Sequence, residues 1–362
     1  MKLIYHGPLW QGGTALQRAE AFAEIPGVEV VKLDTMGGRR ELSVSLYERL
    51  RWKLGWPVDS LAENERLMAI SRRERPAVIF VDNSKVLRRD VLARIRDDLG
   101  PLLVYYSPDD VMAPHNLKRP LRQSFDLWDV FFTTKTYNVG ELKAEGVRHP
   151  VLIGNAFDPA LHRPLSAAEA GDEFEAFDLV FIGALERERC VSLNRLAEAG
   201  MTVLVHGARF GALATAWPSA PHPNITVRDP AFAESYCRCV HHGKIALGFL
   251  RKINRDRITT RSIELPAMGR AMLAEKTDEH DAHFVDGAEY VGFGSDDDLV
   301  QKARELLADR DRRHQIAAAG RRRCLASGYS TSDRARQMVE IIRSKLGEHH
   351  LGTVPPPHSG SD

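Results

Sequence analysis

The chain is predicted to be α/β, built from two doubly wound domains, and three observations predict it. Short apolar runs of strand length recur at 3–5, 28–33, 78–81, 102–106 and 130–132, with helical or charged segments between them. Such alternation is the pattern of a parallel sheet covered by helices. The rhythm restarts with runs at 179–182, 202–205, 225–227, 245–249 and 271–274. Between the two series, residues 166–175 are rich in Ala, Gly and acids and read as a linker. Finally, 362 residues suffice for two separate cores.

Taken in order, the first strand leads into a loop with Gly12 and Gly13, then a helix whose Ala15, Ala19, Phe22 and Ala23 recur at helical spacing. Those glycines let backbone approach a ligand at the carboxyl end of the strand. The dinucleotide fingerprint G-x-G-x-x-G is absent, because the glycines here are Gly7, Gly12 and Gly13, and NAD chemistry loses its main support. Within 42–56, Leu46, Leu50 and Leu54 share one helical face, with Arg49, Arg51 and Lys53 among the rest. The first reading is a helix packed on the core with a solvated basic face. The second is a face turned to an acceptor or a membrane. The strands at 78–81 and 102–106 run into Asp82, Asn83 and Ser84 and into Asp109 and Asp110, where ligands of open α/β sheets bind.

In the second series Gly183 precedes a helix carrying Arg187 and Arg189. Ser295 with Asp298 three residues on is a capping signature, continued by Leu299, Ala303, Leu306 and Leu307. The expected boundaries are 1–165 for the first domain, 166–175 for the linker, 176–331 for the second domain and 332–346 for a last helix. Residues 347–362, with three consecutive prolines and no apolar period, are expected to be disordered.

Composition narrows the function classes. Fifty Lys and Arg against 49 Asp and Glu give a net charge of +1, so no global field draws in nucleic acid. Four Cys without recurring spacing argue against a disulfide scaffold and fit a reducing cytoplasm. No run reaches the about 18 apolar residues of a membrane helix, so a cytoplasmic protein with at most a weak peripheral membrane contact is expected. The oligomeric state stays open.

The most informative stretch is 244–275, KIALGFLRKINRDRITTRSIELPAMGRAMLAE. It reads as a buried strand, a basic loop, a Thr-Thr-Arg-Ser helix entry and a second strand. A helix entry exposes backbone N–H groups and the positive end of the macrodipole, which suits a phosphate. Arg251, Lys252, Arg255, Arg257 and Arg261 surround it, and Arg can hold phosphate oxygens bidentately. Glu264 cannot assist a phosphate, and its expected work is to accept hydrogen bonds from sugar hydroxyls. Phosphate plus sugar implies a nucleotide. Pro266 requires that the helix start near Ser262 or be kinked.

At these residues the chain resembles the GT-B glycosyltransferases, and more closely their spore-maturation or spore-coat glycosyltransferase-like branch. RDRITTRSIELPAMGRAMLAEKTDEH, FVDGAEYVGFGSDDDL and the AAAGRRR segment carry the resemblance, which extends over most of the chain. It implies two Rossmann-like domains facing across a cleft, the last helix crossing back to the first domain. The implied activity is metal-independent transfer of a hexose from a nucleotide-diphosphate sugar to a hydroxyl acceptor, as in cell-surface polysaccharide or spore-coat glycosylation. The nucleotide sugar is then a substrate, and no cofactor is expected. The family's two acidic residues, separated by seven others, match Asp256 and Glu264, with Asp in place of the usual first Glu. By resemblance Glu264 is a ribose ligand and Asp256 a contact to the transferred sugar. Arg189 after FIGA stands where the family carries a phosphate contact, and Asp109 or Asp110 where it contacts or deprotonates the acceptor. Gly12, Gly13, Lys244, Thr260 and Arg261 complete the expected donor contacts, and His6 rivals the aspartates as base. The GT-B fold also hosts epimerases, so a nucleotide-sugar epimerase and a non-catalytic nucleotide-sugar-binding protein remain open.

No metal site is expected. Cys237, Cys239, His241 and His242 lack Cys-x-x-Cys spacing and a second ligand pair, and read as structural. Asp278, Glu279, His280, Asp281 and His283 read as a loop bordering the donor pocket.

Overall fold

A computed structural model describes residues 1–38, 44–207, 217 and 220–352, with side chains as far as 348. The chain divides into two compact units, one of Met1–Gly154 with the chain from Thr331 onward, the other of Asn155–Ser330.

The first unit carries β1 (Lys2–Gly7), β2 (Glu29–Asp34), β3 (Val78–Asp82), β4 (Leu102–Ser107), β5 (Val130–Thr133) and β6 (Pro150–Leu152). They form one parallel sheet in the order β2-β1-β3-β4-β5-β6. Every residue of β3, β4 and β5 is buried, as expected of strands covered on both faces. Alternate residues point to opposite faces. Ile4, Ile79, Val81, Leu103, Tyr105 and Phe131 enter one core layer. Leu3, Tyr5, Phe80, Val104 and Phe132 enter the other, where Ala335, Met338, Val339 and Ile342 of the Thr331–Gly352 helix close the layer.

The second unit repeats the plan with β7 (Phe177–Gly183), β8 (Val203–Gly207), β9 (Ile225–Arg228), β10 (Gly243–Gly248), β11 (Ala271–Glu275) and β12 (Val291–Phe293). The parallel order is β12-β11-β10-β7-β8-β9. Leu179, Phe181, Val203, Ile245 and Leu273 face one core layer, and Val180, Ile182, Leu204, Ala246 and Met272 the other. The order reverses between β7 and β10, so the switch point lies between their carboxyl ends.

Several expectations are corrected. Residues 166–175 are not a bare linker: they belong to the second unit and carry the Ala167–Ala170 helix, capped by Ser166 and Glu169. The Pro266 helix runs Thr260–Ala267, neither starting at Ser262 nor continuing past a kink. It is short enough that Pro266 falls in its last turn. Residues 278–283 form a helix, Asp278–His283, capped by Thr277. The last helix extends to Gly352, so 347–352 are helical, and the rest of the expected tail lies outside the described residues. The Leu46–Lys53 helix buries none of its residues, against the expectation that it packs on the core.

Candidate functional site

At the switch point of the second unit, the turn after β7 and the loop after β10 bring opposite charges together. Arg189, in the Arg187–Glu198 helix, is 6% exposed. Its Nη1 donates to the Ala184 carbonyl at 2.9 Å, and its Nε has no hydrogen-bond partner, lying 3.7 Å from Glu186 Oε2. Burial pulls its pKa below the usual arginine value, against the field of Glu186. A buried guanidinium with an unused donor lacks part of the solvation it lost, which an anion would replace.

The loop after β10 is pinned by Glu275 at the end of β11. Its Oε1 accepts from Leu250 N at 2.8 Å, and its Oε2 pairs with Lys252. Arg251 Nε donates to Glu186 Oε1 at 2.9 Å, and Arg257 pairs with Asp278. Asp256, half-buried, donates its N–H to the Arg251 carbonyl at 3.1 Å and contributes to the field at Arg189. Thus Arg189, Arg251, Lys252 and Asp256 meet around one set of strand ends.

The next turn enters the Thr260–Ala267 helix. Thr259 N donates to Ser262 Oγ at 3.2 Å. Ser262 Oγ lies 2.7 Å from His280 Nε2, while His280 Nδ1 lies 2.8 Å from the Glu275 carbonyl. The carbonyl can only accept, so Nδ1 carries the proton, and Nε2 accepts from Ser262. Burial pulls His280 down to about 4, which keeps that pattern intact at neutral pH. Thr260 Oγ1 is 3.3 Å from Asn155 Oδ1, and the buried Asn155 Nδ2 has no partner.

One helical turn on, Glu264 is 2% exposed. It accepts from Tyr236 Oη at 2.9 Å and from Arg261, whose guanidinium lies 3.9 Å from the centre of the Tyr236 ring. His162 Nε2 stands 3.6 Å away, beyond hydrogen-bond length. Burial alone would raise the Glu264 pKa, but Arg261, His162 and the hydrogen bonds outweigh it and hold the carboxyl below the usual carboxylate range. Arg261 and Glu264, expected to contact different parts of a ligand, are therefore paired with each other.

Lys244 is not part of this constellation. It is the second residue of β10 and pairs with Asp178 at 2.8 Å near the start of β7, at the amino ends of the strands. In a parallel sheet that is the end opposite to the switch-point site.

In the first unit the two aspartates part company. Asp110 is fully buried, and its Oδ1 accepts from Asn138 Nδ2 at 2.9 Å and from Met112 N at 3.2 Å, which fixes the turn after β4. The Asp109 side chain keeps 35% exposure, accepts from Asn83 Nδ2 at 3.0 Å and lies 3.8 Å from Lys85 Nζ. Burial lowers the pKa of Lys85 despite that carboxylate. His6 is fully buried, 3.2 Å from Glu63 Oε2, and is not available to a substrate as it stands. Gly12 adopts φ +86°, which a side chain would strain. At Gly13 a Cβ would lie 2.8 Å from the Trp10 ring, so the glycine leaves room for that ring.

Among the described residues no three His, Cys, Asp or Glu side chains are gathered as a metal site. Cys237 donates to the Leu161 carbonyl at 3.2 Å, and His241 Nε2 accepts from Leu165 N at 3.1 Å. Sequence reasoning missed Glu186, Glu275, Asn155, His162 and Tyr236. Glu275 closes an apolar run, the same signal that singled out Asp82 and Asp109. Asn155, His162 and Tyr236 meet the helix only across long stretches of chain and carry no local signal.

Residues 187–340 match the sequence model of a family described as glycosyl transferase-like. No curated protein matches the chain. Among solved structures, HepE from Anabaena, in complex with UDP, is 13% identical with a TM-score of 0.64, covering 95% of this chain and all of its own. Sucrose-phosphate synthase from Thermosynechococcus elongatus is 13% identical with a TM-score of 0.67, over 96% of this chain and 99% of its own. A putative UDP-N-acetylglucosamine 2-epimerase from Listeria monocytogenes is 14% identical with a TM-score of 0.58, over 100% of this chain and 99% of its own. Likeness at such identities speaks to the fold. The two six-stranded parallel units, matched from end to end, make this a GT-B fold.

Proposed function

We propose that the protein is a glycosyltransferase that moves a sugar from a nucleotide-diphosphate donor, held at the carboxyl ends of β7, β10 and β11, to a hydroxyl acceptor. The observation that carries this reading is that buried Arg189 and Arg251 of the loop after β10 converge on Glu186 at one switch point, with the Thr260 helix entry next along the same connection. Negative charge builds on the departing diphosphate in the transition state, and fixed cations and N–H groups stabilise it there more than in the ground state. Arg189, Arg251 and the helix entry supply that charge in this reading, without a metal, and added chelator leaves activity unchanged.

Glu264 receives the ribose hydroxyls by exchanging one of its present partners, and Asp256 faces the transferred sugar. Asp109, the less buried of the two aspartates, contacts the acceptor. A cytoplasmic place is read from the four cysteines without a disulfide pattern and from the short apolar runs, and a cell-surface or spore-coat acceptor from the branch the motifs resemble. HepE binds UDP and UDP-glucose, which makes uridine nucleotides the first probes. The test is release of nucleoside diphosphate from nucleotide sugars with a panel of hydroxyl acceptors. The reading expects acceptor-dependent release that falls in Arg251→Ala and in Asp109→Asn. Isomerisation of the donor without any acceptor would replace it with an epimerase.

A further inference from the structure

We propose that the segment 44–56 of the first unit docks the protein on an anionic phospholipid membrane. The proposal does not depend on the nucleotide reading. Seven of the twelve large hydrophobic side chains exposed among the described residues fall in these thirteen positions: Val44, Leu46, Tyr47, Leu50, Trp52, Leu54 and Trp56. Such crowding exceeds the scattered apolar residues of an ordinary surface. Helical spacing puts Leu46, Leu50, Leu54 and Tyr47 on one face, and they are 83%, 55%, 61% and 61% exposed. The opposite side turns toward the unit, where Lys118 lies 4.9 Å from the Trp52 ring centre and Arg119 lies 4.9 Å from that of Trp56.

The helix holds its shape without burying a residue. Ser45 and Glu48 form a capping box, Ser60 also donates to Glu48, and Trp56 N returns to the Arg51 carbonyl at 2.9 Å. Arg119 N donates to the Gly55 carbonyl at 2.9 Å and fastens the segment to the unit. Eight residues without a buried side chain are marginal in water, so a partner that receives the leucines also stabilises the helix.

Charge selects the partner. Within 44–56 Arg49, Arg51 and Lys53 stand against one carboxylate, Glu48, which is already engaged by two serines; Arg51 also borders a cavity with Asp59 and Asp90, so Arg49, Lys53 and the neighbouring Arg119 are the exposed cations left for a headgroup. Leucine and aromatic side chains bordered by Lys and Arg suit the boundary between acyl chains and anionic headgroups. A protein groove would accept the leucines but gives no reason for cations along the same segment. No helix among the described residues is long and apolar enough to cross a membrane, so the contact is with one leaflet.

The test is flotation of the full chain with vesicles of phosphatidylcholine alone or mixed with phosphatidylglycerol. The wild type is expected to float with the mixed vesicles, less so with added salt, and to stay behind with pure phosphatidylcholine. Leu50→Ser and Leu54→Ser each weaken partitioning about tenfold, the ratio that about 1.4 kcal/mol supplies. Arg49→Glu with Lys53→Glu abolishes the preference for phosphatidylglycerol. These side chains are exposed, so unchanged unfolding midpoints check that the variants fold. Wild type that floats with neither vesicle, or leucine variants that float as well as wild type, would overturn the proposal. So would a concentration-dependent dimer broken by Leu50→Ser without vesicle binding, since the face would then belong to a second copy.

Discussion

A carboxylate with 2% exposure stays ionised only where cations and donors replace the water it has lost. Glu264 does so through Arg261 and Tyr236, so its substitution disturbs the protein as well as any ligand. Glu264→Ala is expected to lower unfolding stability by about 2 kcal/mol, less than a sealed ion pair because the Arg261 side chain keeps 38% exposure. Tyr236→Phe removes one hydrogen bond and costs about 1 kcal/mol. Urea unfolding of both variants checks the order, and a larger loss in Tyr236→Phe would contradict it. His280 supplies a pH test. Its folded value of about 4 lies below the ordinary 6.5, so between these values the unfolded chain binds a proton that the native protein does not. Stability from this group is complete above about pH 6.5 and falls as the pH drops toward 4, by up to about 1.4 kcal/mol per unit. His162, His206 and His241 shift the same way and remain in a His280→Gln variant, whose decline with acid is therefore shallower but not absent. Parallel declines in wild type and variant would show that His280 is not held neutral. At this scale the sequence was informative about residue type and poor about partners. Arg189 was singled out by the resemblance after FIGA, and Asp109 because it follows a strand. Lys244 was misplaced because a cation near a strand says nothing about its end, and Asp178, its partner, lies 66 residues away.

Elements were legible where burial writes itself into composition. The inner strands β3, β4, β7, β10 and β11 are apolar runs that stand out against charged helices. The three-residue edge strands β6 and β12 are too short to show a pattern, and the proline that opens β6 reads against a strand. The Leu46–Lys53 helix has the apolar spacing of a packed helix and is exposed all the same, since spacing reports a face and not what covers it. Packing between helices is equally silent in sequence. In the Arg310–Ala326 helix, a Cβ on Gly320 would lie 2.5 Å from the Glu289 carbonyl oxygen and 3.1 Å from Pro266 Cβ. Gly320→Ala would gain up to about 1 kcal/mol at an exposed helical site. Here it is expected to lose about 1–3 kcal/mol through the forced shift of backbone. Thermal unfolding decides the sign, and a stabilised variant would mean that the contact yields freely.

For the whole molecule, the repeated rhythm of strand and helix announced two α/β units. It could not announce that the chain from Thr331 shares a core with residues 1–154; that expectation came from family resemblance. Removing everything after Ser330 strips Ala335, Met338, Val339 and Ile342 from a buried layer of the first unit. The truncated chain is expected to lose the cooperative unfolding of that unit or to precipitate, and an unchanged melting profile would show that these side chains do not complete its core. The proposed function requires that a nucleoside diphosphate bind at the carboxyl ends of β7, β10 and β11. The most direct measurement is isothermal titration of nucleoside diphosphates, uridine first, into wild type, Arg251→Ala and Lys244→Ala. Binding is expected to weaken about tenfold or more in Arg251→Ala, the scale of one charge-assisted phosphate contact, and to be unchanged in Lys244→Ala at the far end of the sheet. No binding of any nucleoside diphosphate, or equal losses in the two variants, would contradict it.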